Sequence, residues 1–508
     1  MKADSSSVAV DPATAAGGAL TLDSAQMRTL LAIAFFFPVL LCAILLPSPA
    51  SDLREHINFG LTYRLEGFAA PPLQTWLAGA LALTGAPAAW LYVAVAQALN
   101  FLGLIYLILI ARRFIGESAV VPLALMFCGT IYYSLATPSM ALNADQIQVP
   151  LWAGLTFHGL MALRDDRWRD WILCGVFIGL SVLAKYTVFV WLAVLAVALA
   201  LMPDYRKVFL NPKLYVAALC ALPIVALHAV PEWYGGHAIQ YAEGQFRWGL
   251  PLWYRLDYLW NLVRSLVLYG GPFLIALGVL ARRGHITFTG IPQAPAQRLI
   301  LLAALLYLAL IVMLIFGFAF NYATRHTFPL FGLLLLALLT VIRIEPAGLK
   351  LFAAILFGVW TAVIVGTLVY SQVGRHSILQ EPGPAAASAL RQEWERRFDC
   401  GPAYIIGSDR SVRLIALNYG KPVLGLAFED TPREDWFDNR RMAALGAIIV
   451  TEPDNVARPE LADWFKRRSV ETFSLPYRRT RRTDLHTYSY AFVAPTGCPA
   501  PAGHAPLN

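Results

Sequence analysis

Charge is what this sequence has least of. Only 14% of its 508 residues are Asp, Glu, Lys or Arg, and 58% are hydrophobic. Soluble globular chains carry about 25% charged residues, so a chain dissolved wholly in water is excluded. Cysteine is also sparse: the six residues form no CxxC pair and no Cys/His cluster at zinc spacing, which removes the structural-zinc and dithiol-redox readings. No GxGxxG, Walker loop or GxSxG occurs, so soluble nucleotide chemistry and serine hydrolysis have no support. No small-residue cleavage site follows the first apolar run, which lies behind residues 1–28. It reads as a retained helix rather than a signal peptide.

Apolar runs are there in quantity. A bilayer core takes about 20 residues of helix, and eleven windows qualify: 29–47, 88–111, 117–138, 146–163, 171–186, 188–203, 214–230, 264–281, 298–319, 328–342 and 351–371. Short loops rich in Lys and Arg stay in the cytoplasm. Arg112–Arg113, Arg164/Arg167/Arg169, Arg206/Lys207/Lys213, Arg282–Arg283 and Arg343/Lys350 fall in alternate loops of an eleven-helix threading. All five then face the cytoplasm together with the N-terminus, and the net charge of +8 is mostly topology, not a nucleic-acid footprint. Residues 1–28 become a cytoplasmic tail and 29–375 a transmembrane domain with outer loops at 48–87 and 231–263.

An odd helix count sends residues 376–508 to the outer, periplasmic side. After the linker EPGPAAASAL come β-like runs (AYIIG, KPVLGLAF, GAIIV, YSYAFVAP) alternating with helix-like runs such as RQEWERRF, SVRLIALNYG and PELADWFKRR. That alternation predicts a small α/β domain. Cys400 and Cys498 bracket it; in an oxidising compartment they are a disulfide candidate, and two unrelated buried thiols fit the sequence equally.

The chemistry has to come from polar residues on the outer loops. SDLREHINFG places Asp52, Glu55 and His56 just past the first helix. A solvated acid there is common, but the aromatic and aliphatic spacing of HINFGLTYRLEGF suggests an interfacial helix that roofs it. Partial burial would make Asp52 a competent general base. Asp145 in LNADQIQVPLW is equally a helix-capping acid and a functional one. Lys185 in LAKYT either snorkels or, with Arg325 and His326 in NYATRH, grips a phosphate. His158 and His228 lie within apolar runs and read as satisfied helix–helix hydrogen bonds.

The order of these features resembles the GT-C class of membrane glycosyltransferases that use polyprenyl-phosphate sugars. The nearest likeness is to the group of protein O-mannosyltransferases, lipid A aminoarabinose transferases and rhizobial galacturonosyltransferases. Asp52 precedes APPLQTWL (Pro71, Pro72, Leu73, Trp76, Leu77) at about twenty residues, as the acidic pair precedes PPLxxWL in that group. NADQIQVPLW matches its second acidic loop, LAKYT (Lys185, Tyr186) its lysine turn, and TRHTFPLF (Arg325, Pro329) its late basic motif. Leu53 stands where the second acid of the pair is expected, and no acid precedes Arg325.

The resemblance implies a GT-C fold of about eleven transmembrane helices with the small outer domain, in the bacterial inner membrane. It implies a polyprenyl-phosphate-linked sugar donor lying among membrane lipid and an envelope acceptor, whether glycan, lipid A or protein. Asp52 is expected as base with Asp145 sharing or orienting, Lys185, Arg325 and His326 at the donor phosphate, and Glu55, His56, Tyr186 and His237 at the substrates. The aromatic-rich segment around His237 suits a lid over the sugar. No cofactor is implied, and a divalent metal requirement stays open. Two rival classes are a transporter of a lipid or sugar, which would show two similar halves with mid-membrane ionisable groups, and a non-catalytic scaffold.

Overall fold

Each of the eleven apolar windows holds a helix in the computed structural model. It describes residues 24–45, 51–60, 71–84, 89–134, 142–235, 246, 249–320, 328–373, 380–421, 423–427, 437–458, 462, 464–466, 468–477, 481 and 483–498. The helices are α1 (Ser24–Leu45), α2 (Ser51–Gly60), α3 (Leu73–Ala82), α4 (Ala89–Ile110), α5 (Val120–Gly129), α6 (Ile131–Ser134) and α7 (Ala144–Asp165). They continue through α8 (Trp168–Ala184), α9 (Val188–Leu201), α10 (Pro212–Gly235), α11 (Leu252–Arg282), α12 (Pro295–Phe318), α13 (Phe328–Val341) and α14 (Pro346–Val373). Among the described residues five stretches are long and apolar enough to cross a bilayer alone: Ala89–Ile115, Pro212–Pro231, Leu252–Arg282, Pro295–Phe318 and Pro346–Tyr370. The others are shorter or carry polar residues, as α7 does with Asp145, Gln146 and Gln148. Their buried faces supply what their length does not: Trp152 of α7 stacks on Trp191 of α9 at 5.6 Å, and Tyr307 of α12 meets both rings edge-on.

The basic loops meet at one end of the bundle. Lys213 is paired with Asp166 at 2.6 Å and Arg298 with Asp204 at 2.9 Å. Gln297 donates to the Phe114 carbonyl, and β1 (Ile286–Phe288) pairs antiparallel with β2 (Ile342–Ile344). The alternation of charged loops along the chain is thus a physical clustering.

One boundary differs from expectation. Residues 252–263 are not loop: α11 is a continuous helix of 31 residues beginning at Leu252. Arg255 and Asp257 break the hydropathy of this stretch, yet nothing in LWYRLDYLWNLV interrupts helical hydrogen bonding, and Arg255 donates to the carbonyls of Leu250 and Phe316.

The tail builds a five-stranded sheet from β3 (Tyr404–Gly407), β4 (Leu424–Ala427), β5 (Ala447–Thr451), β6 (Glu471–Pro476) and β7 (Leu485–Val493), in the order β4-β3-β5-β7-β6. β4, β3 and β5 run parallel; β7 and β6 are antiparallel additions. β3 and β5 are buried along their whole length, as expected of strands covered on both faces. Helices α15 (Gly383–Arg397) and α16 (Asp409–Asn418) cover one face through Leu390, Trp394, Val412 and Ile415. Phe465 and the helix α17 (Asn439–Leu445), through Met442 and Leu445, cover the other. Cys400 and Cys498 are disulfide-bonded with Cα atoms 5.9 Å apart.

Candidate active site

The end of the bundle opposite the basic loops carries a connected set of polar side chains. Asn143 caps α7, accepting from the Gln146 amide while Gln146 accepts from the Asn143 amide. That reciprocal cap holds Asp145 in the first helical turn, where the helix dipole favours a carboxylate. Asp145 is 3% exposed and accepts from Lys185 Nζ at 2.6 Å. The ammonium comes from the break between α8 and α9, where Lys185 is in extended conformation. Gln148 fixes that break: its Nε2 donates to the Lys185 carbonyl at 3.1 Å and its Oε1 accepts from Thr187 at 3.0 Å. Asp145, expected to share the base role or orient the acceptor, and Lys185, expected at the donor phosphate, are therefore one buried ion pair.

Neighbouring residues extend the set. The Tyr186 hydroxyl lies 2.6 Å from His228 Nε2 and the two rings stack, so His228 is satisfied across helices as expected. His158, deeper in the bundle, is likewise held by Asp170 at 2.8 Å. From α3, Gln74 accepts from the Ala144 amide at 2.9 Å and donates to the Leu142 carbonyl at 3.2 Å. Thr75 meets His56 Nδ1 at 2.9 Å. Gln74 and Thr75 are thus hinge points between α2, α3 and α7 that the sequence reading passed over, although two polar residues between the apolar positions of APPLQTWL were the signal.

The helix α2 is pressed onto α3. A Cβ at Gly60 would lie 2.2 Å from the Thr75 carbonyl oxygen, and one at Gly79 would lie 2.4 Å from the Gly60 backbone. Only glycine admits this approach. Leu53 and Ile57, one turn apart, are buried against α3, α4 and α7; Asp52 is the second residue of the helix, one turn before His56. Glu55 is paired with Arg413 of α16 at 2.7 Å, so it sits at the contact with the α/β unit. The Asp52 side chain and residues His237, Arg325 and His326 lie outside the described residues. Among the described residues no three His, Cys, Asp or Glu side chains converge as a metal site.

This arrangement has a counterpart in known proteins. The sequence profile described as Dolichyl-phosphate-mannose-protein mannosyltransferase matches residues 69–230, the segment holding Gln74, Asp145, Lys185, Tyr186 and His228. The crystal structure of ArnT from Cupriavidus metallidurans bound to undecaprenyl phosphate superposes with a TM-score of 0.62 over 92% of this chain and 98% of that chain. The chain has the GT-C fold. At 13% sequence identity the likeness to ArnT is one of architecture, and no curated protein sequence matches the chain. At 92% of this chain, the likeness takes in most of the helical bundle and of the α/β unit.

Proposed function

We propose that this protein transfers a sugar from a polyprenyl-phosphate donor to a hydroxyl of an envelope acceptor, at the outer face of the bacterial inner membrane. The observation that carries the reading is the buried Asp145–Lys185 pair, set at one end of a GT-C bundle inside the profile-matched segment. The basic loops at the opposite end support a cytoplasmic assignment for that end and an outer, periplasmic one for the site and the α/β unit.

In this reading Asp52 takes the proton from the acceptor hydroxyl. The oxygen attacks the anomeric carbon from the face opposite the phosphate, the bond from that carbon to the phosphate oxygen breaks, and its electron pair leaves with polyprenyl phosphate. Configuration inverts. Lys185, oriented by Asp145, and Arg325 with His326 from the following outer loop neutralise the departing phosphate, the kind of electrostatic stabilisation that usually dominates catalysis. Tyr186, braced by His228, and His56 and His237 border the sugar and acceptor. Undecaprenyl phosphate, the molecule bound to ArnT, has the chemistry of the expected leaving lipid.

Purified protein in nanodiscs, supplied with lipid-linked sugars and lipopolysaccharide extracted from the host membrane, should release undecaprenyl phosphate detectable by mass spectrometry. Asp52→Asn keeps the shape and removes the proton acceptor, and should slow release by about 10²–10⁴. Release by that variant at the wild-type rate would remove Asp52 as base. Movement of lipid-linked sugar across the bilayer with no release would favour the transporter reading.

A further inference from the structure

Three polar residues of α2 point away from the membrane bundle and into the α/β unit. Arg54 is 1% exposed and its guanidinium lies 3.9 Å from the Glu381 carboxylate, itself 1% exposed. Glu55 is paired with Arg413 at 2.7 Å. Asn58 makes two bonds to the backbone of the edge strand β4, donating to the Gly425 carbonyl at 2.8 Å and accepting from the Gly425 amide at 2.9 Å. That is how a neighbouring strand would satisfy an open edge.

The place Arg54 occupies is informative. In a doubly wound sheet the crevice for a ligand lies outside the carboxyl ends of the parallel strands, where successive connections leave for opposite faces. Here β3 runs into α16 on one face, and β4 returns to β5 past α17 on the other. The residues that follow the two strands, Ser408 after β3 and Glu452 after β5, meet across that crevice at 2.8 Å. Tyr488 stands beside the end of β5, next to Ser489, the register partner of Thr451. Burial pushes its hydroxyl up, with Glu381 and Glu452 adding and Arg54 opposing.

We propose that Arg54 is a positioning residue, its guanidinium held against Glu381 just ahead of α15 so that the α/β unit fixes the helix carrying Asp52. A charge buried this deeply is retained only with partners, and here one partner, Glu381, belongs to the other unit. Leu53 and Ile57 set the helix against the bundle; Arg54 and Asn58, one turn apart, set its rotation and height from above. A base displaced by about 1 Å loses on the order of 10²-fold in rate, so a chain whose Arg54 anchor is gone would bind its lipid and transfer poorly. The inference rests on the transferase reading with Asp52 as base.

The test uses the full chain in nanodiscs, with Arg54→Lys and with the double variant Arg54→Gln/Glu381→Gln, which removes both charges of that pair. Expected for the double variant are amide hydrogen exchange over 51–60 faster by about tenfold or more, α12 exchange unchanged, and undecaprenyl phosphate affinity unchanged. Its kcat for release should fall by about 10–100-fold. Arg54→Lys should fall between, keeping the charge without the planar fork. Unchanged exchange over 51–60 in the double variant overturns the proposal, as does faster exchange with a wild-type kcat. Should the double variant not fold, Arg413→Gln, which releases the partly exposed Glu55 carboxylate, should still raise exchange over 51–60, and no rise there overturns it equally. Exchange makes no reference to transfer, so an Asp52→Asn variant that still transfers counts against the base assignment alone.

Discussion

Neutralising Asp145 isolates what the buried pair contributes. Asp145→Asn keeps the side-chain shape and leaves the Lys185 ammonium, whose side chain is 14% exposed, without its carboxylate. Removing one member of a buried pair costs about 3–5 kcal/mol, because the survivor stays buried and uncompensated. The partial exposure of Lys185 places Asp145→Asn near the low end, about 3 kcal/mol, and Lys185→Met, which strands a carboxylate only 4% exposed, somewhat higher. Replacing both removes both charges, and such neutral replacements are often tolerated at little cost. Denaturation in mixed micelles should therefore find Asp145→Asn/Lys185→Met more stable than either single variant. On the proposed mechanism, release of undecaprenyl phosphate should stay low in all three, because the phosphate would lose its cation in two of them and its cation would lose its holder in the third. Stability losses that simply add in the double variant would refute the coupling, and transfer recovered along with stability would refute the phosphate role.

Close approach of α2 and α3 predicts that Gly79→Ala lowers stability by about 1–3 kcal/mol in the same denaturation assay, with Gly60→Ala at least as costly. The Cys400–Cys498 bond closes 98 residues of sequence; on the chain-entropy account this is worth about 4–5 kcal/mol to the α/β unit, and alkylation without reductant should label neither thiol. Burial pushes the Glu471 carboxyl up, but hydrogen bonds from Tyr490 at 2.6 Å and Arg397 at 2.8 Å outweigh it and hold it below its ordinary value. Its contribution is thus complete above that ordinary value and lost as pH falls through the lowered one, so Glu471→Gln should flatten the acid limb of stability against pH. A reporter fused after Tyr370 should be active only outside the cytoplasm.

The helices were legible because lipid leaves a composition signal that needs no partner: every apolar window holds a helix. Four of the five tail strands were legible for a similar reason, being runs of Ile, Val, Leu and Tyr. ETFSLP was passed over because its inward residues, Phe473 and Leu475, alternate with Ser and Thr on a half-exposed edge. Asp145 and Lys185 could each be singled out, since a charge in an apolar run is conspicuous. Their union could not, because they are 40 residues apart on different elements. Glu55 was expected at the substrates, and Arg54 and Asn58 beside it carried no expectation. Their partners Glu381, Arg413 and Gly425 lie more than three hundred residues downstream in a different kind of sequence, and no local periodicity announces such a contact.

The contact between Asn58 and Gly425 joins residues 367 apart in the chain, which sets an order on biogenesis. Residues 51–60 leave the ribosome well before β4 and α16. At roughly 5–20 residues per second of synthesis, about 20–70 s separate the first appearance of α2 from the arrival of the strand edge that holds it. During that interval the bundle is inserted but α2 has only its bundle-side anchors. A truncated or stalled chain would therefore sit in the membrane, helical throughout, with its outer end unfinished. The anchor that α2 takes from the α/β unit is complete only once β4 has been made, 367 residues after Asn58.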